Sequence, residues 1–216
     1  MAVERRPYRR EAEDKRRAAL ITATLALVSE GGSAAATVRA IAERAGVTPG
    51  LIRHYFTNKE ALLADAYRQL MVGMTEDSAA VLTYAPSDPH ARLAAFIAAS
   101  LRPPVVDGEA VVRWASFIQE TRRNPAMLDI HHQTYLGFRD HLQGLIAALP
   151  HPREAAELRH LAIACNAVID GLWLEGSTLP HAFVPDELVT IGVRSIGAML
   201  GVDLSYYLLL SEPPKT

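Results

Sequence analysis

The chain has 216 residues, half of them hydrophobic, with one cysteine and a formal net charge of -2 at pH 7. That length suits one large domain or a small domain joined to a larger one, and the lone Cys165 excludes an internal disulfide and a cysteine metal cluster. No run of about 18 apolar residues occurs and no apolar stretch adjoins the N-terminal charges, so neither a membrane span nor a signal peptide is expected. The near-neutral total hides an asymmetry: residues 1–60 hold 11 Lys/Arg against 7 Asp/Glu, whereas residues 61–216 hold 11 against 17. A basic front and an acidic back point to a polyanion met by the front alone.

Residues 1–10, MAVERRPYRR, form an Arg-rich arm. It is read either as a flexible solvated tail or as an arm that follows phosphates or enters a minor groove, ordering on binding. From about Glu11 to Glu30 the residues Leu20, Ala23, Thr24, Leu27 and Val28 recur at three- and four-residue steps, which predicts a helix; Gly31 and Gly32 end it. Thr37 is a good N-cap for a short helix, Val38 to Ala45, with Ile41 and Ala42 inward and Arg39, Glu43 and Arg44 outward. Gly46 supplies the left-handed residue of a tight turn. Thr48 is placed to cap the next helix and Pro49 suits its first position, where no amide donor is lost. Ile52 and Phe56, four apart, form its buried face. Thr57-Asn58-Lys59-Glu60 has the form of a capping box and opens a long helix through Leu63, Ala66, Tyr67, Leu70 and Met74, ending before Pro86.

Five further helices follow: Pro89 to Leu101, Gly108 to Arg122, Pro125 to Leu149, Arg153 to Ser177 and Asp186 to Leu200. Prolines 103, 104, 125, 150, 152, 180 and 185 punctuate them. Asp186 and Glu187 open the last one, where acids complement the helix dipole. Residues 204–216 are rich in Leu and Tyr and then in Pro; they receive no assignment and are set apart as a tail.

A helix, a glycine turn and a second short helix over Thr37–Phe56 have helix-turn-helix spacing, in which the second helix enters the major groove. Spacing alone suits two short helices of any bundle equally well. The residues themselves add more. Thr37 to Leu63, TVRAIAERAGVTPGLIRHYFTNKEALL, resembles the signature of the TetR family: a Gly-Val-Ser/Thr turn, a short recognition helix ending in His-Tyr-Phe, and Lys-Glu at the start of the fourth helix. The resemblance implies an all-α fold, with a three-helix helix-turn-helix DNA-binding domain at 11–60 behind the 1–10 arm. It further implies an antiparallel helical ligand-binding and dimerisation domain at 61–203, before the 204–216 tail.

It also implies roles. Thr37 and Thr48 cap helices whose N-termini meet phosphates. Tyr55 and Lys59 occupy positions that resemble the family's phosphate contacts; packing for Tyr55 and plain solvation for Lys59 are the alternatives. Pro49, Gly50, Arg53 and His54 lie on the outward face of the recognition helix, with Gly50 allowing close backbone approach. Arg53 stands where many members carry Tyr. It suits a bidentate contact to a guanine edge, with a phosphate contact as the other reading.

Downstream, Ala167-Val168-Ile169-Asp170-Gly171-Leu172-Trp173-Leu174 resembles the Asp-Gly-Leu-Trp segment of BetI-like members, the subgroup that includes a choline-responsive repressor; Trp114 and Phe117 fit the same subgroup. Family likeness implies a homodimer built from the last two long helices, where Ala162, Ala164, Gly171, Gly192, Ser195 and Gly197 allow close packing and Leu188, Ile191 and Ile196 supply apolar knobs. The same residues serve a monomer core equally well. Candidate pocket residues are Met74, Trp114, Phe117, Ile118, Tyr135, Phe138, Asn166, Asp170 and Trp173. Asn166, Asp170 and Trp173 share one helix face. A carboxylate beside indole rings suits a cationic small molecule, and a buried structural acceptor is the competing role for Asp170.

No nucleophile elbow, Gly-rich phosphate loop or paired metal ligands occur, so no catalytic residue, metal or cofactor is expected. The partners expected are a double-stranded DNA operator, a small-molecule effector of cationic type and a second copy of the chain, in the cytoplasm and without a membrane. A repressor is the expected sense of regulation.

Overall fold

In the computed structural model the backbone is described for residues 5–211 and the side chains for residues 13–209, and every regular element among them is helical. The helices are α1 (Arg5–Ala35), α2 (Val38–Arg44), α3 (Pro49–Tyr55), α4 (Lys59–Ala80), α5 (Pro89–Ser100), α6 (Gly108–Thr121), α7 (Pro125–Ala147), α8 (Ala155–Thr178), α9 (Glu187–Leu200) and α10 (Leu204–Ser211), with a 3-10 turn at Val81–Thr83 after α4.

Three departures from the sequence expectation have local causes. First, α1 starts at Arg5, so part of the expected arm is helical; residues 1–4 lie outside the described residues. Second, Gly31 and Gly32 interrupt α1 rather than end it: Gly32 has φ +69° and ψ -175°, a conformation essentially reserved for glycine, and the helix resumes to Ala35. Third, residues 204–211 form α10. An eight-residue helix is not stable alone, and this one is held by packing: Leu204 is fully buried, and Tyr207 and Leu208 pack on the core that α5 and α9 supply. Residues 212–216 lie outside the described residues.

By length and composition Glu13–Ala35 of α1 would suffice to cross a membrane. Its apolar side is otherwise employed, since Leu20, Ile21, Ala23, Leu27 and Val28 are buried in the protein.

The chain divides into two units. The first takes residues up to Leu70 with Val112–His131; the second takes Met71–Val111 and the residues from His132 onward. In the first, Leu20, Val28, Ile41, Ile52, Leu62, Ala66, Tyr67 and Phe117 are buried. The Tyr67 and Phe117 rings stack at 5.1 Å. The buried Tyr67 hydroxyl lies 2.7 Å from Nδ1 of His131, which satisfies a group that burial would otherwise leave at a cost. Arg17 pairs with Asp65 and lies over the Phe56 ring at 4.7 Å, tying α1 to the end of α3 and to α4.

A core cluster lies in the second unit. Leu93, Phe96 and Ile97 of α5, Leu142 and Ile146 of α7, Ala162, Cys165 and Ile169 of α8 and Val193 and Ile196 of α9 meet there. Two glycines make the contacts possible. A Cβ on Gly192 would stand 2.4 Å from Leu101 Cδ1, and one on Gly197 would stand 2.6 Å from the Val202 carbonyl oxygen.

Candidate functional site

The first unit presents two short helices across a tight turn. Thr37 has extended backbone and its hydroxyl oxygen accepts from Ala40 N at 3.1 Å, so it caps α2 as expected. The turn closes with Val47 N donating to the Ala42 carbonyl at 2.9 Å and with Gly46 at φ +65°, where a side chain would strain the backbone. Pro49 then occupies the first turn of α3. Thr48 differs from expectation: it has N-cap backbone angles, but its hydroxyl makes no capping bond. The expected capping box also shifts by one residue. Helix α4 starts at Lys59, and Asn58 Oδ1 accepts from Ala61 N at 2.8 Å, so Asn58 and not Thr57 caps it.

Seen along α3, the two sides differ sharply. Ile52 and Phe56 are buried. Pro49, Gly50, Arg53 and His54, with Thr37 and Thr48, are exposed. Tyr55 is half-buried, its ring edge-on to His54 at 5.1 Å. Lys59 is also half-buried, and its ammonium donates to the Ser33 carbonyl at 3.3 Å. Arg44 on α2 makes a two-pronged contact with Glu30 at 2.7 and 2.8 Å, which raises the guanidinium pKa and lowers that of the carboxyl. That basic group is therefore spent within the protein, and Arg53 stays available to a partner.

Of the residues expected to line an effector pocket, Tyr135, Asn166 and Asp170 are brought together. The Tyr135 hydroxyl donates to Asp170 Oδ2, and Asn166 Nδ2 donates to the same oxygen at 2.8 Å and to the Tyr135 oxygen at 2.9 Å. Burial is the main cause that raises the Asp170 pKa, partly offset by these two donors. The Tyr135 hydroxyl is pushed up to about 12, first by burial and then by the carboxylate it faces. Trp173 lies on the same inward face of α8 but has a partner of its own, the Val105 carbonyl, to which its indole N–H donates at 2.8 Å. Phe117 and Trp114 belong to the first unit, where Phe117 is fully buried against Tyr67. Met74 is half-buried on α4. A phenol and an amide hold the Asp170 carboxylate. Sequence reasoning placed Tyr135 and Asp170 among the candidates for one pocket but not in a direct hydrogen bond, because 35 residues and a helix boundary separate them.

Helices α8 and α9 also carry exposed apolar and small residues. Ala167, Gly171 and Leu174 lie on the outside of α8, and Ile191 and Met199 on the outside of α9. Leu174 and Ile191 are each more than 40% exposed. The sequence left open which small residues serve the chain's own core. Ala162, Gly192, Gly197, Leu188 and Ile196 are buried within the chain, whereas Gly171 faces open space and Ala164 and Ser195 are half-buried.

Residues 20–66 match the family described as bacterial regulatory proteins, tetR family, and residues 89–201 match BetI-type transcriptional repressor, C-terminal. The chain belongs to the TetR family. As a TetR-family transcriptional regulator it is 34% identical over 171 residues to the HTH-type transcriptional regulator BetI 2 of Chromohalobacter salexigens, an alignment covering 78% of this chain and 81% of that protein. Its fold is similar to a crystal structure of a transcriptional regulator from Pseudomonas aeruginosa PAO1, with a TM-score of 0.79 and 29% identity over 90% of this chain and 95% of the other. It is also similar in fold to a regulator from Saccharomonospora viridis crystallised in complex with choline, with a TM-score of 0.68 and 18% identity over 87% and 96% of the two chains.

Proposed function

We propose that this TetR-family regulator is a repressor that binds a palindromic DNA operator as a homodimer and leaves it when a small cationic effector binds the second unit. One observation carries the reading: α3 and its C-cap bury Ile52 and Phe56, and the helix turns Pro49, Gly50, Arg53 and His54 outward. A helix so divided has its packing side occupied and a polar side suited to a groove. Arg53 suits a guanine edge. Tyr55, Lys59 and the helix starts at Thr37 and Thr48 suit phosphates.

A single helix-turn-helix reads few base pairs. Two copies on a two-fold axis read half-sites about 34–36 Å apart, adding affinity and specificity. The exposed stripe of Ala167, Gly171 and Leu174 with Ile191 and Met199 supports self-association through α8 and α9. The Asp170 carboxylate, held by Tyr135 and Asn166, supports a cationic effector. Choline in the Saccharomonospora viridis regulator is a cation of that class. Such a ligand releases DNA only by binding the two conformations unequally. The regulator acts in the cytoplasm, where its operator is.

The test is fluorescence anisotropy on DNA from the intergenic region beside its own gene, and on sites selected from random DNA, at two salt concentrations. Wild type binds tightly and weakens steeply with salt as counterions are released. Arg53→Ala loses sequence preference, while Lys59→Ala weakens all sequences alike. Absence of specific binding on both DNA sets refutes the reading, and a reporter that falls when the gene is deleted refutes repression.

A further inference from the structure

Two acceptor atoms four residues apart on α8 receive no hydrogen bond from the described residues. Asn166 is 3% exposed, yet its Oδ1 receives no hydrogen bond from the described residues, and both bonds of this side chain are donated by Nδ2. One turn further along α8, Asp170 receives both of its hydrogen bonds on Oδ2, which leaves Oδ1 without a donor. No Lys, Arg or His among the described residues forms an ion pair with this carboxylate. A buried carbonyl oxygen without a donor is costly, and a half-buried carboxylate without a counter-charge beside it adds to that cost. The two lie on one face of α8, four residues apart. Both are acceptors only, and together they carry one negative charge.

The geometry points to an effector that is a cation bearing its own N–H or O–H donor, anchored by Asn166 Oδ1 and the Asp170 carboxylate, and it disfavours a fully substituted cation that offers charge alone. The inference rests on the proposed cationic effector and narrows its chemistry. A positive charge satisfies Asp170 with or without a donor. Only a donor satisfies Asn166 Oδ1. Tyr135 completes the anchor by fixing the carboxylate: its hydroxyl donates to Asp170 and accepts from Asn166, so all three side chains hold one arrangement before a ligand arrives. Preorganised polar groups of this kind discriminate strongly against a ligand that leaves one of them unpaired.

The experiment is titration calorimetry of the full chain with three probes at constant ionic strength and pH 7: tetramethylammonium, with no donor; trimethylammonium, the same shape with one N–H; and ethanolammonium, with N–H and O–H donors. Wild type is expected to bind the two donor-bearing probes at least about tenfold more tightly than tetramethylammonium, the scale of one hydrogen bond to a charged group. Asn166→Ala should reduce that preference to near twofold. Asp170→Asn, which keeps the side-chain shape, should weaken all three probes, and thermal melting of each variant reports whether it is folded. Equal binding of trimethylammonium and tetramethylammonium, weakened alike by Asp170→Asn, overturns the donor requirement and leaves the cationic reading standing. No saturable binding of any probe overturns both. A donor preference that survives in both variants assigns it to another site and overturns the anchor.

Discussion

The hydroxyl of Ser33 donates a 2.6 Å hydrogen bond to Oε1 of Glu120, while the carbonyl of the same residue accepts from the Lys59 ammonium at 3.3 Å. Ser33 directly follows the Gly31-Gly32 break in α1. One residue therefore links the interrupted end of α1 to α6 and to the start of α4, all within the first unit. With Glu60, Asn124 and Met127, these side chains border a small cavity of about 250 Å³.

Removing the hydroxyl should be felt as stability. Ser33→Ala leaves a half-buried carboxylate without its donor, and a loss of about 1 kcal/mol is expected. Urea melts of the variant and of wild type measure it. Superimposable curves would mean that water replaces the hydroxyl without cost.

Two glycines of the long C-terminal helices should respond oppositely to alanine. A Cβ at Gly197 meets backbone, the Val202 carbonyl oxygen at 2.6 Å, so the junction from α9 to α10 must shift. Overpacking of that kind costs about 1–3 kcal/mol. Gly171 meets nothing within 4 Å, so alanine there should raise the intrinsic stability of α8 by up to about 1 kcal/mol. Denaturation of the two variants decides the matter. Sedimentation of a bulkier Gly171→Arg variant then reports on the proposed dimer, since an arginine placed in that exposed stripe should shift it to monomer.

Cys165 is fully buried, and burial pushes its thiol up to about 11. The thiolate is the reactive form. The folded protein should therefore not react with a disulfide reagent at pH 8, and one thiol should appear in denaturant. Rapid reaction of the native protein would show that this part of α8 opens readily.

Asp170 makes a pH prediction with a definite sign. Its carboxyl titrates above the ordinary aspartate range chiefly because of burial, so the folded protein holds that proton more tightly than the unfolded chain. The stabilising contribution is full below the unfolded value of about 3.9 and is lost as pH rises through the folded value. Asp170→Asn removes the titration. The melting temperature of the variant relative to wild type should rise between pH 4 and pH 7, and a difference that is flat over that interval contradicts the assignment.

Much of the helix-turn-helix unit was legible in residue order. Its signals are local: Thr37 before a short apolar-periodic run, Gly46 at the turn, Pro49 at a helix start, and Ile52 and Phe56 four apart. Each is decided by atoms within about one helical turn, and the structure agrees with each of them. Local reasoning was off where neighbouring choices were nearly equal in energy. Thr57 and Asn58 are both good caps, and a one-residue shift in the start of α4 selects Asn58. A glycine pair reads as a helix end, yet α1 resumes after it, where Ser33 is held by Glu120, 87 residues away.

What the sequence determined by itself was the order and approximate limits of nine of the ten helices among the described residues, the all-α class, and which side of α3 is polar, because periodicity, caps and prolines act over a few residues. Only the tertiary structure decided the rest. It turned residues 204–211 into a helix, since eight residues need an outside surface to pack on. It separated Gly192 and Gly197, pressed against the chain's own core, from Gly171 in the open. It also joined Tyr135 to Asn166 and Asp170 and left Asn166 Oδ1 without a donor. Those outcomes depend on which helices are neighbours, and that is settled by apolar burial summed over the whole unit, which a local pattern does not contain.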